Sequence, residues 1–161
     1  MRKILLISVC VFISFLAEFF IFNLTGQWFT PNLLLLVIIY FNLAFGIRFS
    51  IFAAVLAGIL KDSFSADIFG LNIFSFVLCA YMTTILKRYI HYVASRRSRF
   101  LLVFFIAVIN VATHFCLHMM FGEINAGEVL EFVLIPEIVM TIFATSFVFI
   151  RLQKCVSKLF V

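Results

Sequence analysis

NLLLLVIIYFNLAFGIRFSIFAAVLAGIL, residues 32–60, decides the fold. At a rise of about 1.5 Å per residue, a single helix of this length extends about 43 Å. That is too long for one comfortable passage through a hydrocarbon core of about 30 Å, and short for two. The rest of the chain is easier to place, because residues 4–24, 68–86, 100–121 and 132–150 are apolar runs close to the roughly 20 residues that a membrane helix needs. A lipid setting follows from composition. The 161 residues are 66% hydrophobic, only 12% charged, and include 24 Phe, more apolar surface than one water-soluble core of this size can hide.

Charge settles how 32–60 is threaded. If it crosses once, Lys87, Arg88, Arg96, Arg97 and Arg99 fall on the opposite side from Arg2 and Lys3, against the positive-inside bias. A hairpin turning at Arg48 brings all of these, with Arg151, Lys154 and Lys158, to the cytoplasmic side and leaves Lys61 as the one basic residue outside. The expected fold is therefore an all-α polytopic bundle of six transmembrane helices with short loops and both termini cytoplasmic. It forms a single domain over 1–161, with spans near 4–24, 32–47, 49–65, 68–86, 100–121 and 132–150. The third span must run past Leu60 to reach the outer face, which puts Lys61 in position to snorkel to the headgroups and Asp62 inside its last turn. Asp62, Asp67, Glu123, Glu128 and Glu131 lie at or beyond the outer face. The first span resembles a signal peptide but lacks an A-x-A site and is long enough to cross, so it reads as an uncleaved helix.

Asp62 needs explaining, because an acid at a helix C-terminus faces the negative end of the helix dipole. Ser50, Ala54, Gly58 and Asp62 recur at i+4 and share one face, which Ala53 and Ala57 widen. Small residues at this spacing let another helix approach closely. Two readings stay open: the groove holds one of the protein's own helices, with Asp62 bonded to a group such as Asn32 or Asn72, or it is an interface for a partner. Asp67, just before residue 68, is placed to cap the fourth span. Asn110, His114 and His118 form a second i+4 series that reads as a buried polar stripe rather than a metal site, since no third ligand has a supporting spacing. Glu137 near the start of the last span suits the dipole there, whereas Glu18 has no local explanation. The four cysteines are scattered, and no nucleophile–base pair, phosphate loop or catalytic carboxylate pair stands at a recognisable spacing. The reading is a non-enzyme with no cofactor and no metal. Without a water-facing basic patch interleaved with aromatics, nucleic acid is not a partner.

TPNLLLLVIIYF at 30–41, GILKD at 58–62 and FGLNIFSFVLCAYM at 69–82 resemble the rod shape-determining protein MreD family. Pro31 and Asn32 match its Pro-Asn opening of the second span, Gly58 and Asp62 its Gly-x-x-x-Asp, Gly70 and Leu71 its Gly-Leu, and Ala80 and Tyr81 its Ala-Tyr. Pro136 sits where the family often carries a proline. Lys61 beside the acid and the histidines of the fifth span depart from the commoner pattern. The resemblance implies a scaffold of the bacterial elongation machinery in the cytoplasmic membrane. It would bind MreC and link it to MreB, RodA and its penicillin-binding protein. The basic residues Arg96, Arg97, Arg99, Arg151 and Lys154 would lie at the lipid surface of the inner leaflet. The family's similarity in architecture to the S components of energy-coupling-factor vitamin transporters supplies the alternative, a small-molecule binding subunit with an outer pocket.

Overall fold

A computed structural model describes residues 2–25, 30–64, 69–89, 96–121 and 135–160. Among the described residues the protein is all-helical: α1 (Arg2–Thr25), α2 (Leu33–Phe45), α3 (Ile47–Phe64), α4 (Leu71–Tyr89), α5 (Arg96–Phe121) and α6 (Ile135–Phe160). The 32–60 stretch is indeed a broken helix. The break falls at Gly46, two residues before the expected Arg48. Its φ of 89° is accessible to glycine at little cost, and its N–H closes α2 on the Asn42 carbonyl at 3.1 Å.

Helix ends gather at two poles. At one, Lys3 Nζ lies 5.3 Å from the Phe45 ring centre and 5.7 Å from that of Phe49, while Lys87 Nζ donates to the Leu43 carbonyl at 3.2 Å. These contacts join the start of α1 and of α3 to the ends of α2 and α4. At the other pole Lys61 meets Glu18, Asp62 meets Asn72, and Asn32 meets Glu137. Between the poles α4 and α5 run antiparallel, tied by Ser75 Oγ donating to Asn110 Oδ1 at 2.7 Å. Tyr40 packs edge-on against Phe149, with ring centres 5.6 Å apart, so α2 and α6 run in the same direction.

α2 is the axis. Every residue from Leu34 to Asn42 is buried, and the helix touches α1, α3, α4, α5 and α6. At 13 residues it spans only about 20 Å, less than a bilayer core, yet it needs no lipid contact because the other helices enclose it. Three of the helices contain stretches long and apolar enough to cross a membrane: Arg2–Thr25, Arg97–Leu117 and Glu137–Val156. α3 carries Arg48, Lys61 and Asp62 within its 18 residues, and α4 ends on Lys87 and Arg88.

Several helix limits differ from those expected. α4 begins at Leu71 rather than 68, because Gly70 with φ 105° turns the chain into it. α5 begins at Arg96, ahead of the apolar run that starts at residue 100, and α6 continues ten residues beyond Ile150 to Phe160. Arg and Lys are good helix formers, so charge ends an apolar run without ending the helix.

Candidate functional site

The i+4 series of α3 is a seam, and α4 and α2 fill it. Ser50, Ala54, Gly58 and Asp62 are all buried, with Ala53 and Ala57 beside them. A Cβ added at Gly58 would stand 2.5 Å from the Cα of Ile73 and 2.8 Å from its N, so only glycine lets the α4 backbone come this close. Ser50 Oγ donates to the Ile38 carbonyl of α2 at 3.1 Å, fixing the opposite end of the seam.

Asp62 explains itself from the α4 side. Its carboxylate, 3% exposed, accepts from Gly70 N at 3.0 Å, Asn72 N at 3.1 Å, Asn72 Nδ2 at 2.8 Å and Ile73 N at 3.3 Å. The first N–H groups of a helix have no partner inside it and carry the positive end of its dipole. The acid that looks misplaced at the end of α3 is thus the anion at the start of α4. Asp67, expected to do this, lies outside the described residues; the residue preceding the helix is Gly70, and Asp62 occupies its free donors. Of the two readings of the seam, the geometry matches the internal latch to Asn72.

Asn32 performs the corresponding task for α2. Its Oδ1 accepts from Leu35 N at 3.0 Å, its backbone N–H donates to Thr141 Oγ1 at 2.9 Å, and its Nδ2 donates to Glu137 Oε1 at 2.7 Å. Glu18 reaches in from α1, accepting from Leu34 N at 3.3 Å through Oε2 and pairing through Oε1 with Lys61 Nζ at 3.1 Å. α2 starts inside protein, where water cannot satisfy its N–H groups, and non-helical backbone at membrane depth is tolerated only when protein supplies the partners. Pro31 and Asn32, both buried, open the helix, while Glu18, Glu137 and Thr141 complete it. Lys61, expected to snorkel to the headgroups, pairs with Glu18 while its side chain stays 28% exposed, and its Nζ lies 5.6 Å from the Phe76 ring centre.

Residue spacing alone does not point to these long-range ties. Glu18, Asn32, Lys61 and Glu137 each have a local reading, and what joins them is the return of α1 and α6 to the same pole. Gly70, Leu71 and Ala80 of the family motif lie at helix contacts, Ala80 offering its carbonyl to Asn42 Nδ2 at 2.8 Å, while Tyr81 is exposed. Asn110 faces Ser75 and Cys79 in the interior. His114 is half-buried one turn on, and the His118 side chain lies outside the described residues.

The basic residues sit at the other pole. Arg97 and Arg99 lie in the first turn of α5, and Arg151 and Lys154 lie on the last three turns of α6, exposed except for the half-buried Arg99; α5 begins at Arg96. Arg151 stacks over the Phe147 ring at 5.1 Å. Between α5 and α6 at this pole is a cleft of about 120 Å³ lined by Arg99, Ser146, Phe149, Ile150 and Gln153 among others.

No curated protein and no solved structure matches the chain. The rod shape-determining protein MreD family matches residues 1–160. With the match running over essentially the whole bundle, the chain belongs to the MreD family of membrane proteins that determine rod shape.

Proposed function

We propose that this protein is a non-enzymatic, six-span component of the bacterial cytoplasmic membrane that binds MreC. Through MreC it links the MreB filament to RodA and its penicillin-binding protein during cell elongation. The observation that carries this reading is the family match over residues 1–160. Two features of the bundle support it. The polar groups are spent on holding helices together, as a scaffold requires, and α1 keeps a broad apolar face uncovered, including Leu5, Val9, Phe12, Leu16 and Phe20, where a single-span partner can pack. Arg96, Arg97, Arg99, Arg151 and Lys154 belong, in this reading, at the anionic inner leaflet, where each near-surface cation is worth about 1 kcal/mol.

Isolation in mild detergent from cells carrying a tagged chain should bring MreC down in constant proportion. Recovery of the intact protein without it, from cells that contain both, overturns the scaffold. The topology has its own test: Ser95→Cys should react only with reagents that enter the cell, and Asn125→Cys from outside. Labelling of position 95 in intact cells by an impermeant reagent refutes six spans with cytoplasmic termini.

A further inference from the structure

The cleft between α5 and α6 differs from every other helix junction described above, because a charged side chain lines it and is left wanting. Arg99 Nε is buried and has no hydrogen-bond partner among the described residues. A buried guanidinium N–H without an acceptor is costly, and the acceptor its planar fork fits best is a carboxylate or a phosphate. No Asp or Glu lines the cleft. Its polar wall is instead Arg99 with Ser146 and Gln153, groups that donate hydrogen bonds to an anion. The start of α5 brings its positive dipole end to the same pole, and Arg97 and Arg151 lie on the same two helices.

The other half of the cleft is apolar. Phe149 forms part of its wall, and Ile150 continues it onto Phe147 and Phe143, which follow at helical spacing along α6 and are 64% and 83% exposed. An anion-accepting head thus opens onto an exposed strip of apolar side chains, with Arg151 over the Phe147 ring. A volume near 120 Å³ takes a phosphate but falls short of the roughly 300–1,000 Å³ of small-molecule pockets, so a vitamin-sized occupant does not fit. We propose that the α5–α6 cleft seats the phosphate of an anionic phospholipid, held by Arg99, Ser146 and Gln153, with an acyl chain lying along Ile150, Phe147 and Phe143. The basic pole makes a lipid with net negative charge preferable to a zwitterionic one.

Native mass spectrometry of the purified full chain in mild detergent tests this, with phosphatidylglycerol and phosphatidylcholine supplied in equal amounts. Phosphatidylglycerol should be carried preferentially, and Arg99→Gln should cut its retention about fivefold, while Arg88→Gln, at the exposed end of α4, leaves it unchanged. Ser146→Phe, which fills the cleft and keeps every charge, should also lower retention, so the proposal does not depend on Arg99→Gln folding. Circular dichroism verifies that each variant compared is helical. Excess inorganic phosphate should fail to displace the lipid, because it lacks the chain that holds it. Equal retention of the two lipids, retention unaffected by Arg99→Gln or by Ser146→Phe, or ready displacement by inorganic phosphate each overturns the lipid site. None of these outcomes depends on whether MreC binds.

Discussion

The α3–α4 junction is closed and the α5–α6 junction is open. At the first, a glycine removes the last side chain between two backbones, and a carboxylate meets the donors that the neighbouring helix cannot pair for itself. At the second, a cleft remains, and a buried guanidinium nitrogen finds no acceptor among the described residues. Both junctions pair a helix terminus with a charged residue of apt sign or shape. The difference is that Asp62 is satisfied from within the chain, whereas Arg99 Nε has no acceptor among the described residues. Helix pairs in lipid gain little from apolar burial, so closure must come from close packing and hydrogen bonds. Where these are complete the junction is structural, and where they are not it has room for a ligand.

Breaking the closed junction should have the largest effect. Gly58→Leu forces a side chain into the Ile73 backbone, which cannot rotate out of the way as a side chain can. Overpacking of this kind costs about 1–3 kcal/mol and more where backbone must move. Folded protein recovered from the membrane should fall to a small fraction of wild type, with Gly58→Ala intermediate. Wild-type yield and thermal stability for Gly58→Ala would show that α3 and α4 do not pack this closely.

Asp62 comes next, and the geometry reverses what the side chain's size suggests. Asparagine keeps the shape and one acceptor oxygen, so Asp62→Asn looks conservative from sequence. Yet Oδ1 accepts from Asn72 and Oδ2 from Gly70 and Ile73, so an amide must turn its NH₂ toward donors on one side or the other. Each buried donor left unpaired costs about 1–3 kcal/mol. Asp62→Asn should therefore lower stability by about 2 kcal/mol in a detergent unfolding assay, and Asp62→Leu by more. Because the groups involved lie inside the chain, loss should appear in the amount of folded protein rather than in partner recovery per folded molecule. Full stability of Asp62→Asn would disprove the latch.

The Glu18–Lys61 pair sharpens the contrast between charges satisfied within and without. Both side chains are partly exposed, so the pair is worth less than a fully buried one. Lys61→Met should cost about 1–2 kcal/mol by leaving Glu18 without its cation, and Glu18→Gln added to it should restore part of that loss. Simple additivity of the two changes would mean that the ion pair contributes nothing.

How much of this was legible beforehand depends on the range of the interaction. The break within 32–60, the helical character of all six segments and the small-residue face of α3 are local patterns, and i+4 spacing is enough to bring Gly58 and Asp62 to one face. The partner of Asp62 was within reach too, since Asn72 is only ten positions away. Proximity in sequence is the rule for caps and points to Asp67, which lies outside the described residues; that the end of the preceding helix also reaches the first N–H groups of α4, through Asp62, is not a pattern that spacing reveals. Glu137 and Thr141 lie more than a hundred positions from Asn32, and no periodicity connects them. The same holds for the depth of α2: LLLLVIIYF reads as an apolar span, but its place at the axis is set by what surrounds it.

The smallest expected effect provides the cleanest comparison, because it repeats the Gly58 experiment at the open junction. Ser146→Phe adds more atoms than Gly58→Leu, but Ser146 lines the cleft, where the added ring meets space rather than backbone. It also shares a face of α6 with Phe149 and Ile150, one turn on, so the ring gains apolar contact in return for one hydroxyl. Substitutions that neither open a cavity nor force the backbone usually stay within about 0.5 kcal/mol. Thermal unfolding of Ser146→Phe in detergent should therefore coincide with wild type, or rise slightly, while Gly58→Leu fails to yield folded protein. A loss for Ser146→Phe as severe as that for Gly58→Leu would mean that α5 and α6 are packed as tightly as α3 and α4. The two junctions would then be alike, and Arg99 would have no room to hold anything that the chain does not supply.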